Sequence, residues 1–137
     1  TNIVDVEWKE GLVFEAHQQE RAFPIVSSTG EDPTNAGISP KQMLLTALAG
    51  CTGMDVASLL PKMRVPFTSL RVRVTGELTE DHPKVYRTMH VVYEIGAPES
   101  FRNQVEMAVD KSVSKYCGVS AMLEKASAIT HEIVMLG

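Results

Sequence analysis

Several things are scarce in this sequence, and each scarcity removes a class of function. Basic clusters are missing. Thirteen Lys and Arg stand against seventeen Asp and Glu, a net charge of −4, and the nearest approach to a cluster is Arg71 with Arg73, at the spacing of a solvated strand face. Nucleic acid, whose phosphates demand a basic face, is therefore not the expected partner. Long apolar runs are missing too. The richest, residues 43–51, is short of the roughly 18 apolar residues a membrane span needs and is followed by Asp55, Lys62 and Arg64. No membrane partner is expected. Residues 1–10 are charged and carry no apolar core of a signal peptide, so a cytoplasmic location is expected. Cysteine is rare, with two in 137 residues. In a reducing compartment a structural disulfide is unusual, which leaves a pair that is free, metal-binding or redox-active. There is no CxxC, and His17, His82, His90 and His131 show no ligand spacing, so neither a metal site nor a cofactor is expected.

What remains is an ordinary globular composition, 44% apolar and 22% charged, in a length that suits a single domain over residues 1–137. No internal repeat, low-complexity tract or linker interrupts it. Ile3, Val4, Val6 and Trp8, then Glu10-Gly11, then Leu12, Val13, Phe14 and Ala16 read as a β-hairpin. Residues 22–26 read as a third strand, and 27–37, rich in Ser, Thr, Gly, Pro and Asn, as a loop. Ser39, Pro40 and Gln42 fit a helix N-cap, a first-turn proline and a capping-box partner. The helix they open is expected over about residues 40–63, with Pro61 and Pro66 at its end. Its first half is apolar on nearly every side, the pattern of a helix buried on every side. A chain this small can hardly cover it, so a second subunit is expected to do so.

Leu70, Val72 and Val74 alternate with Arg71, Arg73 and Thr75, a half-buried strand. Residues 80–83 turn the chain and 85–95 form a partner strand. Residues 98–115 return to helical spacing, with Phe101, Val105, Ala108 and Val109 on one side. Residues 119–125 read as a short helix, and 129–135 as a closing strand. Strands, a long helix, strands, helices and a strand, in that order, indicate an α+β fold.

Either cysteine alone is most simply a core residue. Their surroundings add to that. Cys51 is flanked by Ala49-Gly50 and Thr52-Gly53, and interior glycines cost a helix on the order of 1 kcal/mol each relative to alanine. They serve close helix packing or room for a substrate beside the sulfur. Cys117 lies between Tyr116 and Gly118 at a junction between helices, where the start of a helix dipole favours thiolate. A Cys–His nucleophile pair of a hydrolase also fits, since such partners can lie far apart in sequence.

The segment Ser39-Pro40-Lys41-Gln42-Met43-Leu44-Leu45-Thr46-Ala47-Leu48-Ala49-Gly50-Cys51-Thr52-Gly53-Met54 resembles the central-helix signature of the OsmC/Ohr family. Lys115-Tyr116-Cys117-Gly118-Val119-Ser120 resembles the family's second-cysteine motif, 66 positions on. The order of elements matches as well, so the resemblance extends over essentially the whole chain, on the OsmC-like side of the family. It implies an OsmC-like fold, antiparallel sheets wrapped around a long central helix, in an intertwined homodimer with its sites at the interface. It also implies a thiol peroxidase without a cofactor. Cys51 would attack an organic hydroperoxide and become sulfenic acid, and Cys117 would condense with it to a disulfide. A dithiol of the lipoyl type would reopen the bond.

Family members activate the first cysteine with an Arg held by a Glu near the start of the central helix. Here that stretch reads Pro40-Lys41-Gln42, without a carboxylate. Arg21 is the candidate cation, Lys41 an alternative, and Glu20, Glu31 and Asp55 are the carboxylates available to orient one. Asp55, one turn past Cys51, would raise a thiol pKa unless paired. Met43, Met54, Met63 and Met122 suggest a soft apolar pocket suited to bulky organic peroxides. A redox-sensing or apolar-ligand-binding dimer with little turnover is the alternative.

Overall fold

A computed structural model describes residues 1–27 and 37–137. The expected loop over 27–37 and the candidate Glu31 therefore lie mostly or wholly outside the described residues. The chain divides into two compact units, Thr1–Leu44 and Leu45–Gly137.

The first unit is a three-stranded antiparallel sheet in the order β1-β2-β3, from β1 (Val4–Glu10), β2 (Val13–Gln18) and β3 (Arg21–Ile25). Gly11, at φ +49°, makes the hairpin turn, a conformation glycine adopts without steric cost. Trp8 closes that turn by donating its indole N–H to the Gly11 carbonyl at 2.9 Å. β1 is exposed along its whole length, Val4, Val6 and Trp8 included.

The long helix α1 (Gln42–Lys62) starts two residues later than its cap signals indicate. The Ser39 hydroxyl does not cap it, being buried without a hydrogen-bond partner. The chain enters instead through backbone bonds, Met43 N–H to the Ser39 and Pro40 carbonyls and Leu44 N–H to that of Lys41. Pro61 lies in the last turn, one residue before the helix ends. The stop is made by Arg64 at φ +60°, with Val65 N–H on the Leu60 carbonyl and Arg64 N–H on that of Pro61. This is the paired-bond helix ending whose hydrophobic contact joins the residues flanking it, and Leu60 and Val65 are both buried in the core. α1 buries one stripe, Leu48, Thr52, Val56 and Leu60, at four-residue spacing. Leu45, Cys51 and Leu59 are half-buried against the core, while Leu44 is 45% and Met54 75% exposed. By length and composition alone α1 is apolar enough to cross a membrane, which corrects the reading that no stretch qualifies; its buried stripe belongs to the core cluster of the second unit.

That unit carries a second sheet in the order β4-β5-β6, from β4 (Ser69–Leu78), β5 (Tyr86–Gly96) and β6 (Ala128–Met135). β4 and β5 are antiparallel, but β6 joins β5 in parallel. The sheet is thus mixed where antiparallel sheets were expected, because residues 97–127 carry the chain back to the start of β5 before β6 begins. Along β5, Met89, Val91, Tyr93 and Ile95 alternate inward and are buried. The return path is a 3₁₀ turn (Glu99–Phe101), α2 (Arg102–Lys111), a π-helical turn (Ser112–Tyr116) and α3 (Gly118–Leu123). Val105, Ala108 and Val109 of α2 complete the core.

Candidate functional site

Cys51 and Asp55 stand one turn apart on α1, so they share a face, and Thr52 is buried beside them. The second arm is the π-helical turn. Cys117 N–H bonds the Ser112 carbonyl at 2.7 Å, five residues back. Such turns insert one residue into a helix and re-aim the side chains beyond it. Ser112, at the start of the turn, and Cys117, at its end, both reach α1. The Cys51 and Cys117 sulfurs and an Asp55 carboxylate oxygen all lie within 4.8 Å of one another. Both thiols are reduced.

A buried chain of hydroxyls leads to this cluster. Ser112 Oγ donates to Asp55 Oδ2 at 2.8 Å, lies 2.8 Å from Thr52 Oγ1, and Thr52 Oγ1 lies 2.7 Å from the Tyr93 hydroxyl. A hydroxyl has one proton to give. Ser112 gives its own to Asp55, so it accepts from Thr52, and Thr52 accepts from Tyr93. The chain runs one way, from Tyr93 to the carboxylate. Burial holds the Tyr93 hydroxyl above its ordinary pKa, in keeping with its place as the terminal donor.

Cys117 is 3% exposed and forms the N-cap of α3, its Sγ accepting from Ser120 N–H at 3.3 Å. That bond favours thiolate, as the position at a helix start suggests. Burial outweighs it. The Cys117 thiol is pushed up to about 11, first by desolvation and then by its hydrogen bond to Cys51 and the charges of Cys51 and Asp55, with Ser120 N–H pulling the other way. The expectation of a thiolate at Cys117 is thus corrected. Asp55 has the effect anticipated for it, but on Cys117, and Ser112 is its partner.

A cavity of about 60 Å³ lies along the hydroxyl chain, lined by Leu48, Thr52, Tyr93, Val113, Ser120 and His131 among others. Tyr93 and His131 meet edge to face there, ring centres 6.2 Å apart. It has room for a few waters and falls well short of the roughly 300 Å³ of a small-molecule pocket. None of the four methionines lines it; Met54 and Met122 are exposed, and Met63 packs against the core.

Arg21 opens β3 in the first unit, opposite Gln18, and is exposed on an open concavity lined also by Thr1, Asn2, Ile3, Val4 and Gln19. Lys41 is exposed just ahead of α1. Thr52, Tyr93, Ser112 and Ser120 were not legible as site residues in advance. One signal was there for Ser112: it continues the apolar face of α2, three residues past Val109 and seven past Val105, as a polar residue in an apolar stripe.

A long core helix with a thiol at mid-length, met by a second thiol from a π turn, defines an α+β protein with a paired-cysteine site. The family model described as OsmC-like protein matches residues 31–132, and this chain belongs to that family. It is 33% identical to protein YhfA of Escherichia coli K12 over 126 residues, 92% of each chain. Its fold matches that of an OsmC-like protein from Mycoplasma pneumoniae with a TM-score of 0.86 at 17% identity, covering 100% of this chain and 98% of the other. It also matches the organic hydroperoxide resistance protein OhrB of Bacillus subtilis, with a TM-score of 0.67 at 15% identity over 97% of each.

Proposed function

We propose that this protein reduces organic hydroperoxides through a disulfide cycle of Cys51 and Cys117. The observation that carries the reading is the approach of the two sulfurs, 66 residues apart in sequence, to within 4.8 Å in the reduced state. The Cys51 thiolate attacks the outer oxygen of ROOH, which carries its hydrogen across to make sulfenic acid; the O–O bond breaks, and the alkoxide takes up a proton, equal to the one Cys51 released on ionising, and leaves as ROH. The Cys117 sulfur then displaces the sulfenic oxygen as water, the Cys117 proton leaving with it, and the sulfurs close to the roughly 2.05 Å of a disulfide. An external dithiol of the lipoyl type takes the oxidising equivalents and restores both thiols. Arg21 is the proposed activating cation of Cys51. A second copy of the chain, covering the open apolar surface of α1 and β1, completes the proposed homodimer.

Thiol trapping and mass spectrometry of the reduced protein, after one equivalent of cumene hydroperoxide or of hydrogen peroxide, test this. A Cys51–Cys117 disulfide formed within seconds, faster with the organic peroxide and lost in Cys51→Ser, is expected. One observation favours the alternative of a slow redox sensor: burial, and behind it the Asp55 carboxylate, keep the Cys117 thiol protonated. Both thiols still free after minutes would decide for it.

A further inference from the structure

Asp55 is the part of the cluster that peroxide chemistry does not use. A carboxylate beside two thiols works against the thiolates that chemistry needs, yet Asp55 is held in place by Ser112 at 2.8 Å. The Cys117 sulfur, in turn, is oriented by the Ser120 N–H. Two sulfurs and a carboxylate oxygen within 4.8 Å of one another, two of them fixed by hydrogen bonds from behind, form a donor set for a cation. The bond lengths of four-coordinate zinc put its sulfur and oxygen ligands about 3.5–3.8 Å apart. From the observed separations the three donors need to contract by no more than about 1.3 Å.

We propose that Cys51, Asp55 and Cys117 bind a thiophilic divalent cation, with zinc as the type, in a site of three protein ligands and one open position. The soft sulfurs select such a metal over magnesium or calcium. Asp55 supplies the third ligand, and its bond from Ser112, relayed from Thr52 and Tyr93, orients it as outer groups orient metal-bound carboxylates. The half-buried Cys51 and Asp55 are the side from which the ion enters and the open position faces. Binding changes no oxidation state. Two thiols give up two protons and become metal-bound thiolates. While the ion is bound neither sulfur is free to form a disulfide, so occupancy shields the pair from oxidation and chelation returns it. The proposal requires only the reduced thiols and does not depend on the peroxidase reading.

The test uses the reduced, metal-free full chain without peroxide. Cobalt(II) is added first, and zinc then competes against a chromophoric chelator. One cobalt per chain is expected, with thiolate-to-cobalt charge-transfer absorption and the visible bands of a four-coordinate site. Zinc should displace it and protect both thiols from alkylation. Asp55→Asn should weaken zinc binding at least about tenfold, and Cys51→Ser should remove the charge-transfer band. Absence of that band, or alkylation of either thiol at an unchanged rate under saturating zinc, overturns the site. So does an affinity indifferent to Asp55→Asn in a variant whose circular dichroism and melting are unchanged. Because no oxidant is present, failure here leaves the disulfide cycle standing, and a missing disulfide cycle leaves the cation site standing.

Discussion

Ser112 Oγ stands 2.8 Å from Asp55 Oδ2 and 2.8 Å from Thr52 Oγ1, so one serine on the π-helical turn is bonded twice to α1. It ties the arm that carries Cys117 to the helix that carries Cys51.

Removing that hydroxyl should therefore cost more than removing the end of the same chain. Ser112→Ala leaves Thr52 without an acceptor and Asp55 without its donor, and should destabilise the fold by about 1–3 kcal/mol. Tyr93→Phe deletes one terminal bond and leaves the Thr52–Ser112–Asp55 run intact, so about 0.5–1.5 kcal/mol is expected. Urea midpoints of the two variants give the order directly. Equal losses would mean that the run does not act through Ser112.

Cys117 makes stability depend on alkaline pH. Its pKa is raised from an ordinary value of 9.0 to about 11 in the folded state. Between those values the unfolded chain has lost the thiol proton and the folded one has kept it, so stability falls as pH rises. Below pH 9 this contribution is fully present. The melting temperature of the reduced protein should drop across that window, and Cys117→Ala should drop less steeply. Alkylation of Cys117 should climb with pH through the same range.

Gly76 is a packing glycine. A Cβ built there would lie 2.6 Å from the Tyr86 ring and 3.0 Å from Leu45, and Tyr86 is buried. Gly76→Ala should destabilise by about 1–3 kcal/mol through overpacking. Gly118→Ala, whose Cβ meets nothing within 4 Å, should move stability by less than about 0.5 kcal/mol. Thermal melts of the pair check the contrast.

The open surface of α1 predicts the assembly. Met54 is 75% exposed on an apolar helix, so a charge there should be harmless in a lone subunit and disruptive in the proposed homodimer. Light scattering should give the mass of two chains for the unaltered protein and of one for Met54→Glu. A monomeric unaltered protein would remove the dimer.

Much of this was legible in the chain. The hairpin at Gly11, the alternation of residues 70–75, the apolar face of Val105, Ala108 and Val109 and the closing strand are local patterns. They read correctly because backbone geometry repeats at two residues in strands and 3.6 in helices. Ser39 misled for a related reason: its capping signal describes a hydroxyl turned toward the helix, and in the fold that hydroxyl is buried unbonded. Pro61 stands at the helix end as expected, one residue before the last, and a paired-bond ending at Arg64 makes the stop.

The class of fold, the family and the two cysteines follow from periodicity and from motifs whose residues are neighbours in the chain. The folded chain was needed to show that β6 runs parallel to β5, that Asp55 is bonded by Ser112 and sits against both sulfurs, and that burial overrides the helix start at Cys117. Each of these depends on residues dozens of positions apart. Hydrogen-bond direction, desolvation and charge act through space, and their strength is set by distances that exist only once the chain has folded.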